Sequence, residues 1–175
     1  MTKSYTTILL AAAFAIAATA CGKKDEQAAA PAAEPAAPAV VLTAPTTNDL
    51  EAWKAYMKQE LTPYIDRRYR RPYVYFVPMV DEAAPDKEEQ LRQYTAQLEN
   101  AQNAVGRGIQ AGSMIAFGGP ASEGVRDVVL ESFKLAGPKS LKGVRVVVIA
   151  TPDVKDAIQA AVTPSEADFV WIDRK

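Results

Sequence analysis

Downstream of residue 48 the apolar positions alternate between two periods. Asn48 or Asp49 is placed to cap a helix carrying Leu50, Trp53, Tyr56, Met57 and Leu61 at helical spacing, and Pro63 is expected to end it. Tyr73-Val74-Tyr75-Phe76-Val77 is β-branched and aromatic and predicts a strand. Pro85-Asp86 opens a long helix. Asp86 and Glu89 have capping-box spacing, Leu91, Tyr94, Leu98, Ala101 and Val105 share one face, and Gly106 and Gly108 close it. Ser113 to Phe117 is a second strand, and Gly118-Gly119-Pro120 breaks it. Ser122 stands where a cap belongs for a helix bearing Val125, Val128, Val129 and Phe133.

Val144 to Ile149 is the clearest strand, almost continuously apolar. Such runs mark parallel strands buried on both faces, so this one is expected in the middle of the sheet. Thr151-Pro152-Asp153 starts a helix with Val154, Ile158 and Val162 at intervals of four, and Asp168 to Asp173 is the closing strand. The order α-βα-βα-βα-β predicts a small three-layer α/β/α domain. Its four-stranded sheet is mostly parallel, with right-handed crossovers and an N-terminal helix. The alternative is an α+β domain whose first or last strand runs antiparallel. Residues 48–175 are one ordinary domain, long enough for a real core.

Residues 1–47 read differently. Ile8 to Ala20 carries no charge but is shorter than the roughly 20 apolar residues of a membrane span. Lys3 precedes it, Ala18-Thr19-Ala20 closes it, and Cys21 follows, the only cysteine of the chain. An apolar leader ending in small residues is the pattern of an export signal. Gly22-Lys23-Lys24-Asp25-Glu26 comes next, and then an Ala/Pro-rich run with Pro31, Pro35 and Pro38. Proline opposes the helix that alanine favours. Residues 21–47 are therefore expected to form an extended tether, at about 3.1 Å per residue where polyproline-like. The short apolar stretch Val40-Val41-Leu42 either docks on the domain or hangs free.

A cysteine directly after Ala18-Thr19-Ala20 resembles the lipobox of bacterial lipoproteins, although Leu is usual where Ala18 stands. The resemblance covers the leader and tether only. It implies that residues 1–20 are removed, that Cys21 is acylated and becomes the N-terminus, and that membrane lipid is the first partner. Several acyl chains give stable anchoring where one does not. Gly22, in place of the aspartate that the family associates with inner-membrane retention, implies the outer membrane, facing the periplasm. Ordinary signal-peptidase cleavage, without a lipid, is the alternative.

Composition removes many chemistries. The chain of 175 residues has no histidine, and no thiol remains once Cys21 is used. Ser-His-Asp and Cys-His catalysis, His- or Cys-ligated zinc, His-ligated haem and C-x-x-C redox chemistry are excluded. None of Ser113, Ser122, Ser132, Ser140 or Ser165 has Lys three places on, so no S-x-x-K site exists in the domain. The domain must hold by packing, without disulfides. The formal net charge of -1 gives no electrostatic reason to expect nucleic acid as a partner. No cofactor is called for.

Two segments remain as candidate sites. In open parallel sheets ligands bind beyond the carboxyl ends of the strands. There the glycine pair before a helix start, Gly118 and Gly119 with Ser122, is the candidate anion-binding turn. Gly119 to Gly124 has phosphate-loop spacing, but Val125-Arg126 stands where Lys and Ser/Thr are needed. Asp81, Asp153 and Asp173 end up near the same edge, although each has a simpler local role. The second candidate is Arg67, Arg68, Tyr69, Arg70, Arg71 and Tyr73, where guanidinium groups alternate with aromatic rings. These residue types suit anionic groups and protein interfaces. Two functions follow. One is a non-enzymatic, membrane-anchored adaptor or assembly factor that binds an envelope protein or the cell wall through the arginine segment. The other is an anion-binding or hydrolytic domain using the Gly118–Ser122 turn.

Overall fold

Trp53, Tyr56, Met57 and Leu61 are all 2% exposed or less, so the first helix buries its expected apolar stripe except at Leu50, which is 44% exposed. The computed structural model describes residues 41–175. The leader, Cys21 and most of the tether lie outside the described residues. The helices are α1 (Leu50–Leu61), α2 (Lys87–Arg107), α3 (Ser122–Phe133) and α4 (Lys155–Val162). The strands are β1 (Arg71–Phe76), β2 (Ser113–Gly118), β3 (Arg145–Ala150) and β4 (Asp168–Asp173). All three pairings are parallel and the order is β1-β2-β3-β4, so among the described residues no strand runs antiparallel. The α/β reading holds, and β3 is an interior strand.

Sequential order has a consequence for the layers. Each crossover advances one strand in the same direction, and a constant hand then keeps every crossover helix on one side. Ala101 and Val105 of α2, Val125, Val128, Val129 and Phe133 of α3, and Ile158 and Val162 of α4 pack on Ile115, Phe117, Val146 and Val148. The opposite face, formed by Met114, Ala116, Val147, Ile149 and Ile172, is covered by α1. Three helices cover one face and one helix the other. Residues 41–47 help α1 on the β4 side. Leu42 and Ala44 pack there, and the Ala44 N–H donates to the Lys175 carbonyl at 2.9 Å. Val41 remains 81% exposed.

Capping differs from the sequence reading in instructive ways. Asp49 does cap α1, accepting from the N–H groups of Glu51 and Ala52 at 3.0 Å. Asn48 instead clamps the chain beyond β1. Its amide donates to the Met79 carbonyl at 2.8 Å and accepts from the Met79 N–H at 2.7 Å. The Asp86–Glu89 box does not form, because Asp86 takes φ -102°, ψ 20° and makes no cap bond. Glu89 turns to Gln93 and Arg92. Nor does Ser122 cap α3. Ala121 holds that position, and the Ser122 hydroxyl accepts from the Thr151 N–H at 3.0 Å. Among the described residues no helix is long and apolar enough to cross a membrane.

Candidate functional site

β1 is an edge strand, and its backbone polarity can be read from one bond. The Val77 N–H donates to the Gly118 carbonyl at 2.9 Å, toward β2. Strand groups alternate, so Tyr73 and Tyr75 also face β2, while Pro72, Val74 and Phe76 turn their backbone groups to the open edge. This explains how β1 contains a proline. Pro72 lacks an N–H on the side where no strand takes one. The strand therefore begins at Arg71, two residues earlier than the sequence pattern suggests.

The side chains of the same three residues point to the face that α1 covers, where Phe76 packs on the Trp53 cluster. α1 does not reach over all of β1. Pro72, Val74 and Phe76 are left as the floor of a groove of about 670 Å³. Leu50, Met57, Leu61 and Ile65 form one wall, and Gln93, Ala96 and Gln97 of α2 the other. Val74 is 48% exposed, Leu50 44% and Ile65 43%. An apolar concavity of this size is unusual on a surface with nothing to bind. Among the described residues the charged ones that line it are Lys54 and Lys58, and no carboxylate does. Lys54 is paired with Glu51 at 2.8 Å.

The arginine segment lies at the end of this groove where β1 begins. Arg67, Arg68, Arg70 and Arg71 are exposed, and Tyr73 is 48% exposed. The Arg70 Nε donates to the Arg67 carbonyl at 2.9 Å, and Arg71 reaches Gln110. Tyr69 is a correction. It is 1% exposed and belongs to the core, so it offers no surface to a partner. The cause is local. An Asp66 carboxylate oxygen accepts from the N–H groups of Arg68 and Tyr69 at 2.7 and 2.9 Å, turning the chain so that Tyr69 packs inward. Burial, with the charge of Asp168, pushes the Tyr69 phenol up. The Arg68 guanidinium lies 5.2 Å from its ring centroid and that of Arg145 4.0 Å.

The Gly118–Ser122 turn sits on the other side of the architecture's logic. A strand-end crevice opens where sheet order reverses, and this sheet never reverses. A Cβ at Gly119 would run into the Val77 carbonyl, so that glycine serves a close backbone crossing. The Ser122 hydroxyl is taken by Thr151, and Arg174 donates to the carbonyls of Gly119 and Pro120. Among the described residues no group of three or more acidic side chains is placed to hold a metal ion. The sequence reading missed the groove. The order of elements does not give the order of strands, and only the sequential order leaves one helix to cover a whole sheet face alone. No family model matches the chain, nor does any curated protein or solved structure.

Proposed function

We propose that the protein is a lipid-anchored lipoprotein of the bacterial cell envelope that acts as a docking module, without catalysis, for another envelope component. The observation that carries the docking role is the apolar groove along β1, with arginines at its one end. The anchor is supported by the leader and the lipobox-like Ala18-Thr19-Ala20-Cys21. Acylation at Cys21 holds the domain on the outer membrane's periplasmic side, and the Ala/Pro-rich composition that follows Cys21 supports a tether.

The two halves of this reading have separate tests. Palmitate labelling of the chain should be lost in Cys21→Ala, and labelling that persists would remove the anchor. Cross-linking from membranes should recover a partner with wild type and lose it when Arg67, Arg68, Arg70 and Arg71 are all alanine, or when Val74 is glutamate. Recovery unchanged in both variants would reject this surface as the docking site.

A further inference from the structure

Resting on that docking reading, we propose that β1 takes an extended peptide segment as a fifth strand, one with apolar side chains at alternate positions and carboxylates toward the arginine end. The backbone supplies the ladder. The Val77-to-Gly118 bond fixes which groups face outward: the Pro72 carbonyl, both groups of Val74 and the Phe76 N–H. An incoming strand pairs with these and sets every second side chain beside Pro72, Val74 and Phe76, on the face that α1 covers. Main-chain bonds with pockets for alternate side chains are the physics of strand addition.

The charges select the occupant. Among the described residues no carboxylate lines the groove, whereas Lys58 does, and Arg67, Arg70 and Arg71 stand beside the start of β1. None of these four forms an ion pair among the described residues. An acidic segment meets them, and a basic one is repelled. The walls favour a single chain over a second copy of the domain. The groove is closed on one side by α1 and on the other by Gln93, Ala96 and Gln97 of α2, so a whole domain arriving at this edge brings its own α2 against this one. Arg71 and Pro72 also blunt the edge, as charges and prolines do on strands kept from indiscriminate pairing. The missing Pro72 donor keeps the ladder short, which leaves the choice of partner to side chains.

The test uses the full-length chain in detergent and a random heptapeptide phage library as the probe. Enriched peptides should carry apolar residues at alternate positions, with Asp or Glu gathered toward one end. The tightest, made synthetically and followed by fluorescence anisotropy, should bind Val74→Pro at least about tenfold more weakly than wild type. That variant removes an outward N–H, as Pro72 does, and exchanges one apolar floor side chain for another, so its melting temperature should stay near that of wild type and an N-methyl scan of the peptide separates the backbone effect from the side-chain one. If Val74→Pro unfolds, that scan replaces it, and affinity should fall at alternate positions. Enrichment of basic peptides, no enrichment, or binding indifferent to Val74→Pro and to N-methylation would overturn strand addition. So would sedimentation showing a dimer that Val74→Pro dissolves, because the edge would then belong to a second copy. Peptide binding without a backbone effect defeats strand addition and leaves the docking module standing. Partner recovery unmoved by the arginine and Val74→Glu variants defeats the docking module itself.

Discussion

The Arg145 guanidinium stands 4.0 Å from the centroid of the Tyr69 ring, and this pair fixes the segment that leads into β1. Arg145 begins β3, and Tyr69 lies within the loop, residues 65–70, that leads into β1. From the same side chain Nε and Nη2 meet Asp168 at 2.8 and 2.7 Å, and Nη1 donates to the Tyr64 carbonyl at 2.9 Å. One planar cation thus joins an interior strand, an edge strand, the end of α1 and the approach to the groove.

Arg145→Ala should therefore destabilise the protein by on the order of 2 kcal/mol, the sum expected from a partly desolvated cation–π contact and charge-assisted hydrogen bonds. Arg145→Lys should recover little of it, because an ammonium cannot stack on the ring and fork to Asp168 together. Urea unfolding followed by tryptophan fluorescence measures both. An Arg145→Ala midpoint equal to that of wild type would show that the loop is held by Tyr69 burial alone.

Asp66 gives that loop a pH dependence of known sign. The N–H groups of Tyr69 and then Arg68 hold its carboxyl below the usual carboxylate range, with help from Arg145. A folded-state value below the unfolded one means that the stabilisation is complete above roughly pH 4 and fades as the pH falls through the lower folded value. Asp66→Asn keeps the acceptor and loses the charge. Its urea midpoint should lie below that of wild type at neutral pH and converge with it under strong acid. Parallel curves at all pH values would place the acid sensitivity elsewhere.

What the sequence made legible follows from what each pattern encodes. The strand and helix order was readable because Val146-Val147-Val148-Ile149 and the helix stripes report burial, and burial decides the layers. Caps were less readable, because Ser122 and Asp86 have chemistry suited to capping and a tertiary partner or a backbone angle outweighs it. Tyr69 was misread for the same kind of reason. Flanked by arginines it looks exposed, and only the Asp66 turn and the position of Arg145 bring it inside. The groove needed one further step. Pro72 marks an edge only once β1 begins at Arg71 and not at Tyr73, and the unequal cover of the two faces follows only from the sequential strand order.

A close backbone crossing at Val77 separates two neighbouring glycines by mechanism. At Gly118 an added Cβ would meet Met57 Cε at 3.0 Å, the free end of an adaptable side chain. At Gly119 it would meet the Val77 carbonyl, which is backbone and cannot rotate away. That carbonyl belongs to the residue whose N–H closes the β1–β2 ladder on Gly118, so any retreat of Val77 opens the ladder and shifts the end of β1. Gly118→Ala should cost about 1 kcal/mol, and Gly119→Ala roughly 3 kcal/mol or more, in the range of overpacking that moves the main chain. Thermal unfolding of the two variants measures the difference. Because Phe76 and Pro78 line the groove, Gly119→Ala should also weaken any ligand bound there even where the protein still folds, whereas Gly118→Ala should not. Equal costs at the two glycines would mean that β1 yields freely at Val77, and the edge could not then be the rigid template that strand addition requires.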